Sequence, residues 1–309
     1  MDATLPHLSD APFITDGGME TTLIFHRGLD LPLFASFDLL RKPKGIAELR
    51  AYYEPYVAIA EERGVGIVLD TPTWRANPDW GKRLGYSPEE LDDANRKAVD
   101  LVAGLRETST ASILVSGCVG PRGDGYVAED LMTADEAAEY HRRQVEVFAW
   151  KDVDLVSALT MTYAEEAIGI ARAATVTGVP AVVSFTVETD GRLPSGQPLR
   201  EAIEQVDAET GASPAYYMIN CAHPSHFAAV LDDDGRWRER IRGLRANAST
   251  KSHAELDEAE ELDEGDPDAL AAEYVALKPR LPNLTIVGGC CGTDHRHIEQ
   301  IAIATAANV

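Results

Sequence analysis

Short apolar runs alternate with longer stretches of helical period along the whole chain, the pattern of βα units wound around a parallel sheet. The strand candidates are 12–16, 65–70, 112–117, 154–159, 181–187, 215–221, 243–248 and 284–289. Most, such as Ile67-Val68-Leu69 and Ala181-Val182-Val183, are continuously apolar rather than alternating, as strands covered on both faces must be. Helices are predicted over 46–63, 88–106, 133–150, 163–177, 198–208, 226–232, 267–278 and 295–307. Ser87-Pro88-Glu89-Glu90 supplies an N-cap, a first-turn proline and early acids, and Gly64 and Gly178 stand where C-terminal glycines belong. Eight such pairs predict a single (β/α)8 TIM barrel over 1–309 rather than an open sheet, with the sixth and seventh units least sharply marked.

Charge narrows the partners. With 28 Lys and Arg against 51 Asp and Glu, the chain carries −23 at pH 7, a field that repels nucleic acid and anionic lipid. No run approaches the roughly 20 apolar residues of a membrane span. The opening residues carry Asp2 and Asp10 and no basic stretch, so a cytoplasmic chain is expected. Nine acids between Lys251 and Asp268 follow the seventh strand; such a run reads as a solvated face or as a lid over the barrel mouth.

The four cysteines are too few for a disulfide scaffold, and Cys290 and Cys291 are adjacent and badly placed to bridge each other. Active sites of (β/α)8 barrels form at the carboxyl ends of the strands. Cys221 closes the sixth strand and Cys290-Cys291 the eighth, two places apart around the barrel, so three sulfurs can face one point. Flanking glycines let the vicinal pair turn toward the same ion. Soft thiolates suit Zn²⁺, and a catalytic zinc keeps one open position. Such a site binds an incoming thiol, lowers its pKa and leaves it nucleophilic, so the chemistry expected is attack of a substrate thiolate on an alkyl donor. Cys118, expected just past the third strand, reads as structural.

Asp16-Gly17-Gly18-Met19-Glu20-Thr21, Thr73-Trp74-Arg75-Ala76, Gly117-Cys118-Val119-Gly120-Pro121-Arg122-Gly123, Ser184-Phe185-Thr186, Asn220-Cys221 and Gly288-Gly289-Cys290-Cys291-Gly292-Thr293 together resemble the homocysteine S-methyltransferase family. These are zinc-dependent thiol methyltransferases that include betaine-homocysteine methyltransferase and the homocysteine module of methionine synthase. The likeness covers nearly the whole chain. It implies that Cys221, Cys290 and Cys291 ligate zinc and that homocysteine takes the open position. It also places Asp16 near the amino-acid part of the acceptor and Asn220 beside the first zinc cysteine.

Many members carry a glutamate seven residues before a Glu-Ala pair to hold the ammonium group of homocysteine. Here Leu159 occupies that place before Glu166-Ala167. Thr160 and Thr162 offer hydroxyls instead, and Asp70 or Glu188 could approach from neighbouring strand ends. A second departure is Asp70-Thr71-Pro72, where members more often carry a Thr/Asn-rich run. A standalone barrel with no second half for cobalamin or folate is expected to use a small cationic donor, a sulfonium or quaternary ammonium, with Trp74, Tyr126, Tyr163 and Phe185 as candidates for an aromatic cage. No separate base is required. None of the eight histidines is placed as one, and His295 and His297 read as exposed helix residues. Competing readings are a barrel of this fold acting on another thiol, a metal-binding barrel without activity, and a phosphate-binding lyase, the last disfavoured because Gly288-Gly289 is tied to cysteines. Self-association is left open.

Overall fold

The computed structural model describes residues 5, 8–9, 11–151, 153–259 and 261–306; Asp2, Asp10, Glu260 and Ala307, which entered the sequence expectations, lie outside them. Eight parallel strands close into a barrel in sequence order: β1 Phe13–Thr15, β2 Gly66–Asp70, β3 Ile113–Val119, β4 Leu155–Met161, β5 Ala181–Phe185, β6 Tyr216–Asn220, β7 Ile241–Ala246 and β8 Ile286–Gly289. Every strand boundary falls within two residues of expectation. The strands are buried along almost their whole length, because helices cover the outside while side chains such as Phe13, Leu114, Leu155 and Tyr216 fill the interior.

Local punctuation works as the sequence suggests. Ser87 and Glu90 form a reciprocal capping box, and so do Thr133 and Glu136. Gly64 and Gly178 end their helices in the left-handed conformation, at φ 64° and 76°.

Three expectations change and one gains detail. Cys118 lies inside β3, within the barrel's interior cluster, because that strand runs on to Val119. The sixth covering helix shrinks to Pro224–Phe227 followed by a 3₁₀ turn at Ala229–Asp232. The acidic segment after β7 contains a short helix, His253–Asp257, with its own capping box at Ser252. His297 is fully buried rather than exposed: its ring nitrogens contact Asp294 and the Glu264 carbonyl, while His295 does face solvent. Among the described residues no helix is long and apolar enough to cross a membrane.

Candidate active site at the carboxyl end of the barrel

Strand β7 hangs two of the cysteines side by side. Asn220 of β6 and Gly288 of β8 both stand in register with Arg245, which brings the chain just past both strands to the same height. The Cys221 amide then donates to the Arg245 carbonyl at 3.1 Å, and the Cys290 amide to the next carbonyl, Ala246, at 2.8 Å. Cys291 follows, its carbonyl held by the Ala248 amide. The three Sγ atoms lie within 4.8 Å of one another.

Where the sequence predicted three free thiolates, Cys221 and Cys290 are bonded as a disulfide across a Cα–Cα distance of 5.4 Å, 69 residues apart in sequence. Suspension from successive carbonyls of one strand makes the pair close enough to join. Cys291 stays free, and its Sγ accepts from the Tyr126 hydroxyl at 3.4 Å. Burial raises the Cys291 thiol pKa, against that hydrogen bond. As a donor set, three gathered sulfurs fit zinc: atoms held to this span can share one ion through bonds of about 2.3 Å, and thiolates are soft ligands. Gly292, at φ 78°, allows the tight turn that follows the pair.

The backbone is strained where these elements meet. Cys221 and Thr160 adopt φ of 53° and 62°, a region that side-chain-bearing residues avoid, and β-branched ones most of all. Neighbours fix both. The Asn220 amide oxygen accepts from the Thr160 amide at 2.9 Å and the Ser184 hydroxyl at 2.6 Å, while its nitrogen donates to Thr160 Oγ1 at 2.8 Å. Thr160 Oγ1 in turn lies 3.8 Å from Cys221 Sγ. The Cys221 carbonyl receives Asn247 Nδ2 at 3.0 Å and contacts His253 Nε2 at 2.8 Å. His253 also reaches Glu188 and stacks on Tyr126 with ring centroids 4.1 Å apart. The acidic segment is therefore tied directly to the cysteine layer, as a lid.

One step down the barrel sits an ion triad. Arg245 donates to Asp16 Oδ1 at 2.5 Å, pairs with Asp70, and gives its Nε–H to the Gly289 carbonyl. Asp16 is 1% exposed and also accepts from Tyr52. Burial, aided by the neighbouring Asp70 charge, raises its carboxyl pKa to about 6, against the pull of Arg245 and Tyr52. Asp16 is thus bound inside the protein, a role that a turn residue before two glycines does not announce.

A cavity of about 400 Å³ opens above, lined by both layers, by the lid residues Leu256 and Leu262, and by Phe25 and Phe34. Of the expected aromatic cage only Trp74 and Tyr126 line it. Phe185 is buried in the wall against Tyr217, and the Tyr163 hydroxyl accepts from the Met132 amide at 3.1 Å. Leu159 lines the cavity floor. Asp70 is committed to Arg245, Glu188 to His253, and Glu166 to His141. Glu20, Arg245, Asn247 and His253 escaped the sequence reading. The one available signal was arginine within a strand run, Arg242 and Arg245 both falling in β7; the other three are set by chain segments far apart in sequence.

Residues 13–305 match the homocysteine S-methyltransferase family. A selenocysteine Se-methyltransferase of Brassica oleracea var. italica is 26% identical over 93% of this chain and 87% of its own. Homocysteine S-methyltransferase 3 of Arabidopsis thaliana is 24% identical over 94% and 88%. Among solved structures, the homocysteine methyltransferase MmuM of Escherichia coli superposes with a TM-score of 0.73 in its metallated form, at 20% identity over 96% of each chain. Its oxidised form gives the same score at 21% identity over 97% of each. At that identity the likeness is one of fold.

Proposed function

This chain belongs to the homocysteine S-methyltransferase family, and from that membership we propose that it moves a methyl group from a small sulfonium or ammonium donor to the thiol of homocysteine, with Cys221, Cys290 and Cys291 holding zinc when reduced. That it is a methyltransferase follows from the family itself. Zinc held by thiolates lowers the pKa of a thiol beside it, so that a thiolate persists at neutral pH.

In the transfer, a lone pair on the acceptor sulfur forms the new S–C bond to the donor methyl. The old C–S or C–N bond breaks with its electron pair staying on the leaving atom, which departs neutral. The acceptor's thiol proton is released to solvent as the thiolate forms, before the methyl moves, so no side chain has to act as a base. The chain's own residues orient and enclose. Trp74 and Tyr126 offer ring faces to the cationic donor, an attraction of roughly 1 to 2 kcal/mol per desolvated contact. Leu256 and Leu262 of the lid keep water from the cavity, which strengthens every charge interaction inside it. Thr160 borders the acceptor beside Cys221, and Asn220, its amide fully engaged, acts by holding Thr160 in place. Asp16 acts from below through Arg245, which steadies the Gly289 carbonyl next to Cys290.

The observation that carries this reading is the gathering of three cysteine sulfurs within 4.8 Å in the lining of the cavity. Its test is methyl transfer to homocysteine from S-methylmethionine, S-adenosylmethionine and betaine in parallel, in reducing buffer with and without chelator. Turnover with at least one donor, lost on chelation and restored by zinc, is expected; turnover that persists in metal-free protein overturns it. Leu159 favours a second reading, a thiol acceptor without an ammonium group, which turnover supported by another thiol and indifferent to homocysteine would establish.

A further inference from the structure

Most acidic side chains around the cavity are already neutralised or wet. Asp16 and Asp70 share Arg245, Asp124 pairs with Arg75 at 3.6 Å, and Asp263 accepts from Ser249 and faces Lys251 at 3.8 Å. Asp257 and Glu261 are exposed on the lid.

Glu20 is different. It lines the cavity, yet its hydrogen bond is from the Ser36 hydroxyl at 2.7 Å, and among the described residues no Lys, Arg or His nitrogen comes within ion-pairing distance of it. The turn that carries it packs against the cysteine loop: the Gly292 amide donates to Thr21 Oγ1 at 3.3 Å, and a Cβ at Gly18 would come within 2.6 Å of the Cys290 carbonyl, which puts Glu20 on the cysteine side of the cavity, where an acceptor thiol would lie. Arg75 and Arg245 act on Glu20 only from beyond contact distance and hold their ion pairs elsewhere: Arg245 serves two carboxylates, and Arg75 pairs with Asp124 at 3.6 Å and packs over Trp80 at 3.7 Å. An enclosed carboxylate without a counter-charge is costly, and a cationic ligand removes the cost.

We propose that Glu20 is the acceptor-recognition residue of this enzyme, binding the α-ammonium group of an amino-acid thiol and so doing the work that Leu159 cannot. The proposal rests on the reading of the cavity as the acceptor site. The division of labour follows from chemistry. A primary ammonium carries three N–H donors and needs oxygen acceptors, which Glu20 supplies. A sulfonium or quaternary ammonium methyl has no N–H to give and is served by the ring faces of Trp74 and Tyr126.

The test is calorimetric binding to the reduced, zinc-loaded protein, which needs no methyl donor. Homocysteine is compared with 4-mercaptobutyrate, the same thiol acid lacking the ammonium group, on the wild-type protein and on Glu20→Gln. Wild type is expected to prefer homocysteine by about 30-fold. The variant, which keeps the volume and the bond to Ser36, is expected to lose that preference while binding 4-mercaptobutyrate unchanged, so the second thiol also reports that the variant is folded. Equal weakening toward both thiols, or no change toward either, overturns the assignment of Glu20 and leaves the acceptor site standing. Wild-type protein that binds neither thiol refutes the acceptor site, and this assignment with it.

Discussion

Two layers of the barrel mouth are built one peptide apart on β7, and they treat their charges in opposite ways. In the lower layer Arg245 binds Asp16 and Asp70 and the Gly289 carbonyl, joining four strands through partners supplied entirely by the chain. In the upper layer the sulfurs of Cys221, Cys290 and Cys291 are collected with a weak hydrogen bond from Tyr126, and Glu20 stands without a cation. A layer that satisfies itself holds the fold, and a layer that gathers acceptors of one sign is shaped for something that arrives.

The comparison breaks most completely in the upper layer. Cys290→Ser is expected to abolish both zinc content and methyl transfer while leaving the melting temperature of the reduced apo protein close to wild type; a variant that retains wild-type zinc by atomic absorption contradicts the ligand assignment.

In the lower layer the expected effect is on stability. Arg245→Leu strands two carboxylates in the barrel and is expected to cost about 3 to 5 kcal/mol in urea unfolding. The pH dependence has a definite sign. Asp16 titrates near 6 in the folded chain against 3.8 in the unfolded one, so the folded state holds that proton more tightly. Its contribution to stability is complete below about pH 4 and is lost as pH rises through 6, a swing of about 3 kcal/mol at most. Without Arg245 the proton is held more tightly still, so the variant should recover stability on acidification from pH 7 to 5. A variant whose deficit is the same at both values would show that the triad is not the source.

The smallest change sharpens the boundary between the layers. Tyr126→Phe removes the hydroxyl donated to Cys291 and keeps the ring that stacks on His253. Zinc affinity measured by chelator competition should fall about 10-fold, the usual effect of losing a bond to a metal ligand.

The strands were legible because a strand buried on both faces must be apolar throughout, and Ile67-Val68-Leu69 can be little else. The cysteines were legible because thiols at strand ends have few other uses. What the sequence hid depends on contacts between distant segments. His297 follows a loop and begins a helix, and only the packing of Glu264 against it shows that it is buried. Glu20 reads as an ordinary acid in the first turn of a helix, and nothing local says that Ser36 turns it toward a cavity. Cys118 falls just past the strand expected over 112–117, whereas β3 runs on to Val119 and the ring of Phe148 packs against Gly117, where a Cβ would approach within 2.5 Å.

The left-handed backbone at Cys221 also limits how this site can drift. Beyond glycine, the residues that tolerate such a conformation best are asparagine and aspartate, and of these three only aspartate offers an anionic donor. The replacement at this position that both suits the backbone and keeps an anionic ligand therefore gives a mixed sulfur and oxygen set with a harder character. Lineages that changed this position would be expected to change their preferred ion, and with it the nucleophile they can activate.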